Sequence, residues 1–451
     1  HHLRMIMDEI FGEENFVGQI VANLNPRGRQ SMEYIAVTHE YLIIFAKNVK
    51  SLELQKQALT DKQIKEYRET DIDGRKYRLI GLRKRGAGDR KEDVPSLFYP
   101  IYYNPHTNKI SLENLDGHYI EILPKLEDGT FGRWRWSKSK VESNKYSLVA
   151  KKVKRKLGIV EYDVFEKDYL NTEKGVKETK YKSIWINKTF NYEKGTELIR
   201  ELFGKKVYDF PKPLEYIKEI LGLATKNNDI ILDFFAGSGT TGQAVWELNK
   251  EDGGNRKFIL VQLDEEVQDE EIKKEFPTVA DICIERLKRV SEKYKKEDKN
   301  QLINDNQDWG FKVFKLSQSN FNLKDEFEFD PNENKEELKE KYLEYLGMWV
   351  DQPLVSGWKE IDVIYEVLLK EGLNLNSKIE KIKIKDNEFY YVKNEEQNLD
   401  FYISFQGAFS SDTIEEIRTP KYKGKMFVFL DKALTDNDKI NLSTFVRLKV
   451  I

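Results

Sequence analysis

At 451 residues, with 39% apolar and 34% charged side chains, the chain has the make-up of a globular protein of two to four domains. No apolar run approaches the ~18 residues needed to cross a membrane, and nothing at the start resembles a secretory leader. One cysteine and five histidines exclude an internal disulfide, argue against a structural zinc site and fit a reducing cytoplasm. The net charge of −3 says little, but residues 51–190 hold 30 Lys and Arg against 21 Asp and Glu, while residues 291–451 hold 25 against 31. A basic middle with an acidic end is the footprint expected of an insert that faces phosphates.

Leu3, Ile6, Met7, Ile10 and Phe11 recur at helical spacing, and Gly12 supplies a stop. Phe16–Val21 reads as a strand, residues 25–29 as a turn carrying Arg27 and Arg29, and Tyr41–Ala46 as a buried central strand. In the basic segment, Arg75 and Arg78 flank Tyr77, and Arg83-Lys84-Arg85 precedes a Gly86-Ala87-Gly88 loop. Arg133-Trp134-Arg135-Trp136 alternates guanidinium with indole, so in a strand the arginines share one face and the tryptophans the other. Arginine is the commonest reader of guanine edges, whereas lysine mostly grips phosphate. Lys151 to Lys156 is expected to form a solvated helix face or a non-specific phosphate grip.

A helix over Thr196–Phe203 is stopped by Gly204, and a second opens at Pro213 with Leu214, Ile217, Ile220 and Leu221 inward, ending at Gly222. Ile230–Asp233 is a short strand, followed by a glycine turn through Gly237 and Gly239 and a helix over Gln243–Leu248. Strand, tight turn and helix in that order make half of a nucleotide-binding α/β unit, with Asp233 in the crevice where ligands of open parallel sheets bind. Gly242 completes the G-x-G-x-x-G spacing, so the glycines alone leave a nicotinamide site open. Lys257–Leu263 is the next strand, with Gln262 where an acid for ribose hydroxyls is expected and Asp264 two residues on. The helix over Thr278–Val290 is expected to turn Ile282, Leu287 and Val290 inward and Glu285, Arg286, Lys288 and Arg289 outward, with Cys283 as packing. Residues 291–308 read as a linker. Beyond it lies an α/β module, with strands at Phe311–Leu316, Lys381–Lys385, Phe389–Val392, Phe401–Phe405 and Met426–Leu430 and helices at Lys335–Leu346 and Lys359–Lys370.

The string from Asp233 to Thr241, Asp-Phe-Phe-Ala-Gly-Ser-Gly-Thr-Thr, resembles the S-adenosylmethionine motif of DNA amino-methyltransferases. The phrases Met7–Phe16, Val37–Lys47, Asp209–Pro213 and Glu251–Arg256 resemble the adenine-specific modification subunits of type III restriction systems, over roughly residues 1–320. The resemblance implies a Rossmann-like S-adenosylmethionine-dependent methyltransferase fold, partial and circularly permuted, with an inserted target-recognition domain and a C-terminal α/β domain. The expected division is methyltransferase over 1–50 and 191–290, target recognition over 51–190, a linker over 291–310, and 311–451 for dimerisation or partner docking. The implied cofactor residues are Asp233, Phe234, Phe235, Gly237, Gly239, Thr240, Lys212, Pro213, Gln262 and Asp264. The implied DNA contacts are Arg27, Arg29, Arg75, Arg78, Arg83, Lys84, Arg85, Arg133, Trp134 and Arg135. The implied partners are double-stranded DNA, a second copy and a helicase-nuclease restriction subunit. The family's catalytic Pro-Pro-aromatic motif is missing, for no Pro-Pro occurs in the chain. A chain shortened at its N-terminus is therefore expected, with no catalytic residue assigned and no methyl transfer by this chain alone. The alternative is a DNA-binding specificity subunit without catalytic activity.

Overall fold

The computed structural model describes residues 2–451 apart from 29–32, 116, 156–157, 173–174, 302–306, 323–333, 352 and 396. The described chain divides into two compact units, one up to Trp309 and one from Gly310.

In the first unit the expected opening helix is present as α1 (His2–Phe11), and Gly12 ends it at φ +86°. Its apolar stripe of Leu3, Ile6 and Ile10 is exposed. Strand β1 (Phe16–Asn23) pairs antiparallel with β2 (His39–Phe45). Ile20 and Ala22 on β1 alternate inward to join Leu24, Trp185, Tyr216 and Leu223 in one core.

The basic segment, residues 51–190, carries two larger sheets and two short two-stranded ribbons among the described residues. One of the larger sheets contains β3 (Glu69–Thr70) and β4 (Lys76–Gly81); the other contains β5 (Ile101–Asn104), β6 (Lys109–Ser111) and β7 (Ile120–Ile122). Strands β8 (Leu148–Lys154) and β9 (Val160–Tyr169) complete the first sheet in the order β3-β4-β9-β8. The described part of the lysine run at 151–156 is thus largely strand, not helix. Leu148 and Ala150 are buried while Lys152 and Lys154, further along the same face, emerge into solvent, and the ladder to β9 pairs Lys152 with Tyr162. The continuous antiparallel ladder from Leu148 opposite Glu166 to Lys154 opposite Val160 decides against the helix. Trp134, Trp136, Leu82, Ile101 and Val164 form the core between these sheets.

Strand β10 (Ile184–Trp185) returns the chain to β1 in parallel. Helix α2 (Tyr192–Phe203) begins a turn earlier than expected because the Asn191 side chain accepts from Glu193 N–H, and Gly204 at φ +75° ends it. Helix α3 (Leu214–Ala224) runs through Gly222 rather than stopping there. Strand β11 (Ile230–Asp233), helix α4 (Thr240–Asp252) and β12 (Lys257–Leu260) follow, with β11 and β12 parallel and Asp233 opposite Leu260. Ile231 packs inward on Leu221, Ala244 and Val245, whereas Ile230, Leu232 and Ile259 are exposed. Helix α5 (Val279–Gln301) continues well into the segment expected to be a linker. Ser291 and Tyr294 are buried, and Tyr294 packs on Trp309 at 4.9 Å, so this polar stretch has a helical face of its own to bury.

The second unit contains α6 (Lys335–Asp351), α7 (Glu360–Lys370) and a five-stranded sheet. Strands β13 (Lys378–Ile384), β14 (Asn387–Asn394) and β15 (Leu399–Ser404) form an antiparallel meander. Helices α8 (Ser411–Ile417) and α9 (Asp436–Ser443) alternate with two parallel strands, β16 (Met426–Phe429) and β17 (Arg447–Val450). Val428 faces one core with Val363, Ile364 and Val367 of α7, and Phe427 and Phe429 face the other with Ile417 and Leu442. The strand expected at Phe311–Leu316 has no strand partner among the described residues; β17 fills the sheet edge instead.

Candidate functional site

Beyond β11 the backbone turns sharply at Gly237 (φ +53°) and Gly239 (φ +78°), a left-handed conformation that costs side-chain-bearing residues energy. Space excludes side chains as well. A Cβ on Gly237 would stand 2.9 Å from the Tyr208 hydroxyl, and one on Gly239 2.9 Å from Cys283 Sγ. The Cys283 thiol is pushed up to about 11 by burial, so it is packing and not a nucleophile.

Asp233 organises the turn from the strand side. Its Oδ1 accepts the Phe235 N–H at 3.1 Å and its Oδ2 accepts the Thr241 hydroxyl at 2.5 Å. Gln262 Oε1 accepts the Gly237 N–H at 2.7 Å, so this side chain braces the turn from β12's side. Asp264 is exposed beyond it. Phe234 and Phe235 are 63% and 79% exposed, with ring centroids 5.0 Å apart, an arrangement that leaves two aromatic faces for a ligand.

Lys212 and Pro213 precede α3 and meet the same turn, since the Thr240 hydroxyl donates to the Lys212 carbonyl at 3.4 Å. The Lys212 ammonium donates to Glu40 at 2.6 Å and to the Tyr192 hydroxyl at 3.3 Å, and that hydroxyl also bonds Glu40. Glu40 and Tyr192 are not singled out in the sequence, for only the fold brings β2, 172 residues from Lys212 at Glu40, and the start of α2 to this ammonium. Gly195 on α2 allows the approach: a Cβ there would lie 2.3 Å from the Pro211 carbonyl.

Arg286 corrects an expectation. It was placed on the outer face of its helix, yet it is 0% exposed beneath the turn. Its guanidinium donates to Ser238, Thr240 and Gln243, and burial pushes it down to about 10, leaving it charged at neutral pH.

In the insert, the two basic clusters lie side by side, with Arg83 bridged antiparallel to Trp134 and Lys84 N–H donating to the Arg133 carbonyl at 2.9 Å. Trp134 is 0% exposed and donates its indole N–H to the Tyr99 carbonyl at 2.8 Å; it is core, and cannot stack on a base. Arg83 is also buried, beside Asp163 and Arg155, so it too is withdrawn from DNA. Arg75 pairs with Asp71, Arg78 with Asp168 and Glu66, Arg135 with Glu166, and Arg27 with Glu193. Arg133 donates to the Gly88 carbonyl at 2.5 Å and fastens the glycine loop. Arg85 is exposed, without a carboxylate in ion-pair range among the described residues. Arg29 lies outside the described residues.

A turn of this form, one carboxylate, two left-handed glycines and two exposed phenyl rings, coincides with a family match. The model of the DNA methylase family matches residues 1–275. The chain belongs to the DNA methylase family. The type II methyltransferase M.KpnI of Klebsiella pneumoniae is 38% identical over 303 residues, taking in 65% of this chain and 69% of that protein. The EcoPI Mod subunit, a type III restriction-modification enzyme of Escherichia phage P1, is 30% identical over 58% of this chain and 40% of its own length. The StyLTI Mod subunit of Salmonella typhimurium is 30% identical over 70% of this chain and 43% of its own length. This methylase chain therefore spans less than half the length of these two Mod subunits.

Proposed function

We propose that the chain is the cofactor-binding and DNA-recognising part of an adenine-specific DNA methyltransferase, the modification component of a type III restriction-modification system. The observation that carries this is the Asp233–Thr241 turn, whose two left-handed glycines fold the backbone tightly against Tyr208 and Cys283 and whose phenyl rings stand exposed beside the strand-ending carboxylate. S-adenosylmethionine fits these residues and, when bound, supplies a methyl group activated by its sulfonium. Asp233 and Lys212 then offer opposite charges to its amine and carboxylate, Pro213 lines that end, Phe234 or Phe235 covers the adenine, and Asp264 accepts from the ribose. Gln262 and Thr240 hold the turn to which these groups are attached.

The Rossmann-like, permuted arrangement is supported by the parallel pair β11 and β12, joined through α4 at the site. Residues 51–190 act as the target-recognition domain, where Arg85, with Lys84 and Arg133 beside it, meets the duplex. Reaching an exocyclic amine requires the adenine to leave the base stack. Residues 311–451 serve a second copy or a restriction subunit, and the complex works in the cytoplasm. No Pro-Pro-aromatic motif occurs in these 451 residues, so no side chain here is assigned to the transfer itself. Positioning by such a motif is required before the amine can attack.

The test is methyl transfer from tritiated cofactor to duplex DNA, followed by nucleoside analysis, with and without a second polypeptide carrying a Pro-Pro-aromatic motif. Label in N6-methyladenine only when that polypeptide is present is the expected result. Full activity of the chain alone refutes the assignment of roles. The filled space behind Gly237 and Gly239 favours a second reading, a specificity subunit in which the turn is scaffold and which binds DNA without catalysis. Sequence-specific DNA binding with no S-adenosylmethionine binding would select it.

A further inference from the structure

We infer that Arg286 is the positioning residue of the cofactor turn, acting through Ser238, Thr240 and Gln243 without touching the ligand. The inference rests on the cofactor reading above and adds to it a residue from a distant helix. A turn with two left-handed glycines has unusual freedom to lose on ordering, so something must select its shape. Asp233 and Gln262 fasten it from the strand side, at Phe235, Gly237 and Thr241. From below, one planar guanidinium reaches the rest. Arg286 Nη1 donates to Ser238 Oγ at 3.0 Å, to the Ser238 carbonyl at 3.4 Å and to Thr240 Oγ1 at 2.8 Å. Its Nε and Nη2 donate to Gln243 Oε1 at 3.1 and 2.9 Å.

The geometry suits arginine and no other side chain. A buried charge is tolerated only when its N–H groups are satisfied, and a rigid fork can hold three residues at fixed spacing where an ammonium holds a point. Because Thr240 Oγ1 accepts from Arg286, its own proton is free for the Lys212 carbonyl, 3.4 Å away. The guanidinium is thereby tied to the segment that carries Lys212 and Pro213 as well as to the turn. Neighbours on the same helix face complete the mould: Cys283 Sγ fills the space at Gly239, and Leu287 Cδ2 lies 2.8 Å from where a Gly242 Cβ would be.

The experiment is equilibrium binding of S-adenosylmethionine to the full chain, with melting temperature recorded for every variant. Arg286→Met, which keeps the bulk and loses the fork, is expected to weaken binding at least about tenfold. Arg286→Lys, which keeps charge but not the fork, is expected to fall between it and the parent chain. Val290→Ala opens the buried part of the same helix away from the turn and is expected to lower the melting temperature while leaving affinity within about twofold. Arg286→Met binding within twofold of the parent chain, or Val290→Ala losing as much affinity, overturns the inference. If the Met variant does not fold, the Lys variant decides: parental affinity overturns the inference and a clear loss supports it. Failure of the parent chain to bind at all would instead strike the cofactor reading.

Discussion

At the scale of single residues, Gly239 is the most demanding position in the turn. Gly239→Ala would meet both a left-handed φ and the Cys283 sulfur, and is expected to cost about 2–4 kcal/mol. Adding Cys283→Ala removes the clash but not the backbone strain, so thermal unfolding of the double variant should recover only part of the loss. Full recovery would mean that φ is unstrained. The requirement for glycine was legible in the sequence, because it follows from local backbone geometry next to a strand-ending carboxylate. Arg286 was not legible. An arginine between Glu285 and Leu287 in an amphipathic helix reads as solvated, and only acceptors more than forty residues upstream explain its burial. Trp134 shows the same limit: alternation correctly separated it from the arginines, but burial against Tyr99 and Leu82 depends on strands far along the chain.

At the scale of elements, β4 and β9 are clamped by Asp168. Arg78 donates to it at 2.9 Å, and Lys177 and Tyr67 also bond it. Burial alone would raise its carboxyl; the hydrogen bonds from Lys177 and Arg78 outweigh that and hold it below the usual range. A lowered folded-state value contributes stability above the unfolded value of about 3.9 that is lost as pH falls through the folded one. Asp168→Asn should therefore melt earlier than the parent at pH 7, with the gap closing in acid below about pH 4. A gap that persists unchanged at low pH would contradict the ion pairing. On the same insert, Trp134→Ala should cost about 3–5 kcal/mol of stability, as a large core truncation does. Arg85→Ala should leave melting unchanged yet weaken duplex binding and reduce the salt dependence by about one unit of slope. Unaltered salt dependence would remove Arg85 from the interface. The basic excess of the insert was visible in the sequence, but which arginines are free was not, because that depends on carboxylates brought across by strand pairing.

At the scale of the whole molecule, the strand and helix pattern beyond residue 310 anticipated an α/β unit, and periodicity found α7 and the middle strands. It missed β17, α8 and α9, whose apolar residues are too few for a pattern and gain meaning only against Phe427 and Phe429. The unit from Gly310 has two buried clusters of its own, one on each face of its sheet. Expressed as residues 310–451, it should melt cooperatively with a mixed helix and strand signal in circular dichroism. A broad, non-cooperative melt would show that it borrows its stability from the rest of the chain.

The central claim is that the bend after β11 accepts S-adenosylmethionine, and calorimetric titration of the full chain with that compound tests it most directly. One saturable site is predicted, with Phe235→Ala binding at least about fivefold more weakly at an unchanged melting temperature, since that ring is 79% exposed and contributes little to the fold. Absence of binding at millimolar ligand, or equal affinity in the variant, would contradict it.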